Sequence, residues 1–185
     1  MCGAPLHPEG DKAVCKYCGM VHLFRAEAPA PSGYELARQG IEYHQSEDYN
    51  RSIQAFEEAI QKGITRYPLT DIYTIMGHNY MEMGLQEKAQ PWYRKSLELD
   101  GRYYKAWVGL GISYRKQGDQ AEAERCYLAA LELAPNYAEL HASLGALYIF
   151  QGKSEQAVRA LEKAVQLDSS VAIAHGNLSL AYAMT

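Results

Sequence analysis

Five residues near one end of the chain are of the types that bind a metal ion: Cys2, His7, Cys15, Cys18 and His22. Cys15 and Cys18 have the Cys-x2-Cys spacing at which two thiolates bind one Zn²⁺, and the glycine that follows lets the backbone turn so that its amides face the sulfurs. Structural zinc takes four ligands. Cys2 is the expected third ligand, and three alternatives stay open for the fourth: His22, His7, or no fourth ligand and a segment without metal.

Residues 1–24 resemble a small zinc ribbon, because Cys2 and the glycine after it are similar to the end of a second Cys-x2-Cys-Gly knuckle. The resemblance implies structural Zn²⁺ as a cofactor, although the partner of Cys2 would fall before the first residue. A catalytic zinc is disfavoured because no Glu or His cluster supplies a base, and a disulfide is disfavoured in a cytosolic setting. Two prolines in residues 25–32 predict a linker.

Two pairs of histidines are each 34 residues apart: His44 with His78, and His141 with His175. Such spacing could form a ladder of metal ligands. However, His141 and His175 hold the place of Trp107 in the repeat, and we expect them to pack between helices. Cys126 is expected to be a buried or half-buried thiol. No nucleophile elbow, P-loop or paired-carboxylate motif is present, so we predict no catalytic residues and no enzymatic activity.

A period of 34 residues organises most of the chain. Glycines and tyrosines mark it at fixed places: Gly77, Gly111, Gly145, Tyr80, Tyr114, Tyr148 and Tyr182. A fixed period of this length is typical of a solenoid, in which each repeat packs only on its neighbours. An earlier repeat fits with a shift of 37 residues. We therefore expect three extra residues, Tyr67-Pro68-Leu69, in a loop between two repeats.

Each repeat predicts two helices. From Trp107 to Tyr114, large and small apolar residues follow one another at steps of three and four, which is typical of one face of a helix. Gly118 predicts a turn. A second face runs from Ala123 to Leu131, and the following Pro135 predicts the end of that helix.

This pattern resembles the tetratricopeptide repeat (TPR): Trp107-x2-Leu110-Gly111-x2-Tyr114, then Gly118-Asp119, Ala123, Tyr127, Ala130 and Pro135. The resemblance covers roughly four-fifths of the chain. It implies an all-α fold, a right-handed α–α superhelix, preceded by the zinc-ribbon-like knuckle. The implied units are 33–66, 70–103, 104–137 and 138–171, with a terminal helix at 172–185.

In TPR proteins the first helices of successive units line a concave groove. Carried over to this sequence, the resemblance implies a peptide-binding groove at nine positions: Tyr34, Ile41, His78, Lys105, Ile112, Arg115, Lys116, Ile149 and Phe150. Arg115 and Lys116 would meet an acidic group of an extended peptide, or else form a solvated face. Ile149 and Phe150 would contact the ligand or pack against the next unit. Of the residues that clamp chaperone tails in some TPR domains, only Lys105 is present, so such a ligand is not expected.

Charge and hydropathy exclude several classes of partner. A net charge of −4 disfavours nucleic acid and anionic membranes, which need a basic face, and no apolar run approaches the roughly 20 residues of a membrane span. We predict a cytoplasmic, non-enzymatic scaffold that binds a protein or peptide segment. The alternatives are a zinc-ribbon nucleic-acid-associated factor and the regulatory fragment of a larger enzyme. Apolar residues in the terminal helix also predict self-association through it, or a longer natural chain: Leu178, Leu180, Tyr182 and Met184.

Overall fold

The computed structural model describes residues 30–185, and the backbone of three strands between residues 6 and 23. The chain forms two compact units, Met1–Pro31 and Ser32–Thr185. In the first unit, an antiparallel sheet has the strand order β1-β2-β3: β1 (Leu6–Glu9), β2 (Lys12–Cys15) and β3 (Val21–Leu23). This sheet was not predicted, because strands of 4, 4 and 3 residues are too short to show an alternating pattern.

Residues 30–185 form nine α-helices: α1 (Gly33–Gln45), α2 (Tyr49–Lys62), α3 (Leu69–Glu82), α4 (Gln86–Leu99), α5 (Tyr104–Gln117), α6 (Gln120–Leu133), α7 (Ala138–Phe150), α8 (Ser154–Leu167) and α9 (Ala172–Ala183). Packing within the pairs α1–α2, α3–α4, α5–α6 and α7–α8 makes four successive helical hairpins, and α9 packs on α7 and α8. The predicted all-α repeat solenoid is confirmed. None of these helices has the length and apolar character needed to cross a membrane.

The turn inside each hairpin needs a left-handed backbone conformation. Gly84, Gly118 and Gly152 supply it with φ values of 73°, 86° and 71°, because glycine has no Cβ to clash there. The first hairpin uses Glu47, which lies 37 residues before Gly84 and has a φ of 61°. A non-glycine residue in this conformation costs about 1 kcal/mol or more, so the first turn is the strained one.

In every hairpin, a glycine of the first helix faces a large side chain of the second. The pairs are Gly40–Phe56, Gly77–Tyr93, Gly111–Tyr127 and Gly145–Leu161. A Cβ added at these glycines would lie 2.4–2.7 Å from a carbon atom of the partner, and each partner is fully buried. At Gly111, the absence of a Cβ thus lets the two helices of the hairpin approach closely. The period therefore has a packing cause, since only glycine leaves room for the buried side chain.

The histidines at the place of Trp107 bind loop carbonyls. The Trp107 Nε1–H donates to the carbonyl oxygen six residues earlier at 3.0 Å, and Nε2 of His141 and of His175 lies 2.8 and 2.9 Å from the carbonyl oxygen six residues before each. Because a carbonyl only accepts, Nε2 of each histidine carries a hydrogen. Among residues whose side chains the structure describes, no group of three His, Cys, Asp or Glu could hold a metal ion.

Cys126 is buried, as predicted, with 1% of its surface exposed. Together with Trp107 and Tyr114, it lines a cavity of about 320 Å³ between α4, α5 and α6. Burial raises the pKa of the Cys126 thiol to about 11. The thiol is therefore protonated at neutral pH and is a poor nucleophile.

The loop between α2 and α3 is longer than the later loops between hairpins: residues 63–68, compared with 100–103, 134–137 and 168–171. Tyr67 in this loop stacks on Tyr34 of α1, with ring centroids 5.5 Å apart and ring planes 9° apart. The Arg66 guanidinium lies 5.0 Å from the centroid of the Tyr34 ring, which makes a cation–π contact. These contacts fix Tyr67 against α1.

Candidate peptide-binding groove

The predicted groove residues lie on the first helices of the hairpins. α3 contacts both α1 and α5, and α7 contacts α9. Equivalent places on these first helices are one repeat apart in sequence, so side chains at these places form a face that neighbouring helices share.

A cavity of about 460 Å³ opens between α1, α3 and α5, and we call it the N-terminal pocket. Nine residues line it: Ile41, Tyr67, Asp71, Ile72, Thr74, Ile75, His78, Tyr103 and Lys105. Three of the predicted groove residues, Ile41, His78 and Lys105, thus lie together. The volume falls within the ~300–1,000 Å³ that is typical of ligand pockets.

Of the pocket residues that the sequence prediction missed, two do not lie on a helix: Tyr67 and Tyr103. Both belong to loops between hairpins, whereas the predicted positions were all carried over onto helices. The three-residue insertion was the only sequence signal for Tyr67, and Tyr103 had none. Tyr34, a predicted groove residue, does not line the pocket but holds Tyr67 by ring stacking.

A hydrogen bond inside the N-terminal pocket joins Tyr103 to Asp71. The Tyr103 hydroxyl donates to Asp71 Oδ1. Burial, and next this hydrogen bond, raise the pKa of Tyr103, so the phenol keeps its hydrogen at neutral pH. No group among the described residues donates to the second carboxylate oxygen, Asp71 Oδ2.

His78 and Lys105 give the pocket one neutral ring and one positive charge. Burial is the main cause that lowers the pKa of His78, and the neighbouring His44 lowers it further, so the imidazole is neutral at pH 7. Its ring packs edge-on against Tyr93, with centroids 5.6 Å apart. The Lys105 side chain is exposed and has no ion-pair partner among the described residues.

A buried chain of hydrogen bonds ties α1, α2 and α3 together. His44 Nδ1 lies 2.6 Å from Asn79 Oδ1, the Asn79 amide donates to Ser52 Oγ at 2.8 Å, and Ser52 Oγ donates to the Gly40 carbonyl at 2.7 Å. Asn79 and Ser52 are fully buried. His44 thus has a structural partner, since its Nδ1 must donate to the amide oxygen.

The remaining predicted residues of α5 lie outside the N-terminal pocket. Ile112 is half-buried and packs against the hydrophobic core. Arg115 and Lys116 lie in the last turn of α5, where positive charge is favoured by the helix dipole. Lys116 is exposed and Arg115 is half-buried.

Ile149 and Phe150 have different environments. Ile149 is half-buried against the core formed by the last helices, whereas 71% of the Phe150 surface is exposed. In the 34-residue register, α9 continues the same face with exposed large side chains: Ile173, Leu180 and Met184. We call Phe150, Ile173, Leu180 and Met184 the apolar strip. Leu180 and Met184 were predicted as a self-association surface and not as part of the groove, and Ile173 was not predicted.

The predicted zinc ligands belong to the first unit. Cys2 and Cys18 lie outside the described residues, whereas Cys15 ends β2. Residues paired directly across an antiparallel ladder lie on the same face of a sheet, and so do alternate residues of one strand. Pairing of Ala13 with His22 therefore places His22 on the Cys15 face, and pairing of His7 with Val14 places His7 on the other.

Family models described as tetratricopeptide repeat match residues 70–103 and 102–170, which together make up more than half of the chain. Among curated proteins, the chain is 32% identical over 63 residues to Protein O-mannosyl-transferase tmtc2 of Xenopus laevis. That match covers 34% of this chain and 8% of the transferase.

Several solved structures have the same fold. MamA has a TM-score of 0.69 and 23% identity, with 80% of each chain covered. YrrB, described as a TPR protein with an unusual peptide-binding site, has a TM-score of 0.66 and 22% identity, with 78% of this chain and 73% of that chain covered. TTC0263, a thermophilic TPR protein of Thermus thermophilus, has a TM-score of 0.66 and 20% identity, with 82% of each chain covered. Repeat matches and shared fold together show that this chain belongs to the tetratricopeptide-repeat family.

Proposed function

We propose that this chain is a non-enzymatic scaffold that binds a protein or peptide segment along the face shared by its first helices. The main support is the apolar strip. Of the seven large hydrophobic side chains that are exposed among the described residues, four belong to it. Exposed apolar side chains that cluster on one face are typical of an interaction surface, and the N-terminal pocket lies on the equivalent face of α1, α3 and α5.

Selection and titration of peptides test this function. Peptides would be selected from a random display library on the immobilised full chain, and their dissociation constants measured by fluorescence anisotropy. We expect Phe150→Ala and Leu180→Ala each to raise the Kd of selected peptides about tenfold or more, because truncating an apolar contact at the centre of an interface costs the most binding energy.

Leu128→Ala is the matched control, because Leu128 is 43% exposed on α6, a second helix of its hairpin. We expect it to change the Kd by less than about twofold, as rim or distant substitutions do. Failure to select any peptide, or equal weakening by Leu128→Ala and Phe150→Ala, would contradict the proposed function.

Zinc binding by the first unit is a separate part of the proposal, with Cys2, Cys15, Cys18 and His22 as ligands. The support is the sheet register: His22 pairs with Ala13, two residues before Cys15 on the same strand, whereas His7 pairs with Val14. When bound, the ion would be structural, since a segment this short has little core of its own. We expect about one zinc per chain by metal analysis of the purified protein. His7→Ala should keep the metal and His22→Ala should lose it, and well under one zinc per wild-type chain would remove the claim.

The other functional alternatives have less support. Nucleic-acid binding is disfavoured by the net charge of −4. The similarity to the O-mannosyl-transferase covers 8% of that protein, which is too little to carry a transferase activity over to this chain. Cytoplasmic location and self-association through α9 stay predictions.

A further inference from the structure

The N-terminal pocket is lined by flat and branched apolar surfaces. Ile41 of α1 and Ile75 of α3 contribute aliphatic surface, and Tyr67, His78 and Tyr103 contribute three rings. Aromatic rings pack well against one another edge-on or offset. A wall of this composition therefore suits a large planar side chain better than a small or flexible one.

An unused acceptor lies in the same wall. Asp71 Oδ1 accepts from the Tyr103 hydroxyl, and no described group donates to Oδ2. A partly buried carboxylate oxygen is stabilised by a donor, and hydrogen bonds to charged groups are stronger than those between neutral groups. Asp71 Oδ2 is open to solvent, and an occupant with an N–H or O–H group would donate to it in place of water.

The charges of the pocket select against a charged occupant. Because the lining holds one carboxylate, Asp71, and one ammonium, Lys105, a cationic occupant would be repelled by Lys105 and an anionic occupant by Asp71. His78 adds no charge of its own at neutral pH. A neutral donor has neither penalty, because like charges repel in such a confined site.

We propose that the N-terminal pocket binds an aromatic side chain that carries a hydrogen-bond donor, tryptophan or tyrosine, and that this donor bonds to Asp71 Oδ2. The inference rests on the proposed peptide-binding function and specifies one residue of the partner. Tyr67 determines the specificity of the pocket, because the longer loop between α2 and α3 carries it and stacking on Tyr34 fixes its ring.

Two tryptophan probes that differ by one hydrogen-bond donor test the proposal on the wild-type full chain. N-acetyl-tryptophanamide and its 1-methylindole analogue would be titrated against protein with ¹³C-labelled isoleucine methyl groups. We expect N-acetyl-tryptophanamide to shift the Ile41 and Ile75 resonances and to leave exposed Ile173 of α9 unchanged. The methylated probe, which lacks the N–H, should bind about tenfold more weakly.

Variants locate the contact. Tyr67→Ala should weaken both probes about fivefold or more through loss of ring contact, whereas Asp71→Ala should remove the difference between the two probes. Tyr104→Ala is the matched control: Tyr104 packs edge-on against Tyr137, with centroids 5.7 Å apart, and does not line the pocket. It should change neither affinity.

Equal affinities of the two probes for the wild-type chain, or the absence of Ile41 and Ile75 shifts, would overturn the proposal without recourse to any variant. The peptide-binding function is tested independently. Selected peptides that lose affinity in Phe150→Ala but keep it in Tyr67→Ala would support the function of the groove and reject the pocket as its aromatic site.

Discussion

Gly109→Ala should destabilise the protein, although alanine is the better helix former. A Cβ at residue 109 in the middle of α5 would lie 2.3 Å from Tyr93 Cε1 and 2.5 Å from Cζ. The Tyr93 ring is fully buried and is also confined by Gly77, so it has little room to move. We expect overpacking to cost roughly 1–3 kcal/mol and to outweigh the gain of up to about 1 kcal/mol in helix propensity, so the net effect is a loss of stability. Urea denaturation followed by circular dichroism measures it.

Gly176→Ala is the matched control for this prediction. Gly176 lies within α9, and a Cβ there would meet nothing within 4 Å. The same substitution should therefore raise stability by up to about 1 kcal/mol. In addition, Tyr93→Leu should relieve part of the Gly109→Ala defect, since Leu161 holds the same place in the fourth hairpin. Effects of the same sign at both glycines would contradict the steric explanation.

Ser52→Ala should also destabilise, although alanine occupies this place in the three later hairpins as Ala89, Ala123 and Ala157. The substitution would leave the fully buried Asn79 amide without its acceptor, Ser52 Oγ. A buried polar group that loses its partner costs roughly 1–3 kcal/mol. Leucine is similar in shape to asparagine, and Asn79→Leu should lower the free energy of unfolding by a similar amount. It removes the hydrogen-bond partner of His44 and places an apolar side chain against the Ser52 hydroxyl.

The double variant Ser52→Ala with Asn79→Leu should be more stable than the sum of the single effects predicts. It converts this contact to the apolar form found at one later junction, where Ala123 and Leu147 hold the equivalent places in the core. We expect a favourable coupling of about 1 kcal/mol or more in a double-mutant cycle. Ser143→Ala is the control, because that hydroxyl only donates to the carbonyl of its own preceding helical turn. Strict additivity would contradict the importance of the network.

The repeated hairpin could be predicted from sequence because its main contact is local and recurrent. Gly77 and Tyr93 are 16 residues apart, and the same separation joins the glycine and large residue of every other hairpin. A contact that depends only on the spacing within one hairpin produces the same residue pattern in the sequence each time the hairpin recurs. The positions of Ile41, His78 and Lys105 were carried over from the resemblance to TPR proteins, which applies to this chain because its hairpins recur.

Contacts that occur only once in the structure produce no repeated pattern in the sequence. Gly109 packs on Tyr93 of the preceding hairpin, but residues 75, 143 and 177 at the equivalent places are not glycine. The chain from His44 through Asn79 to Ser52 likewise occurs at one junction between hairpins. Neither could be predicted, because each depends on how two particular hairpins meet.

By itself, the sequence determined that this protein is a row of helical hairpins with a shared face, since every repeat must bury the same apolar positions against its neighbour. Only the tertiary structure decided which side chains of that face are free to bind. Tyr67 and Tyr103 enter the N-terminal pocket from loops, Ile149 turns into the core, and Phe150 continues into an exposed strip. These differences arise because residues that are distant in the sequence pack in the same region of the structure, and the period of the sequence does not predict that packing.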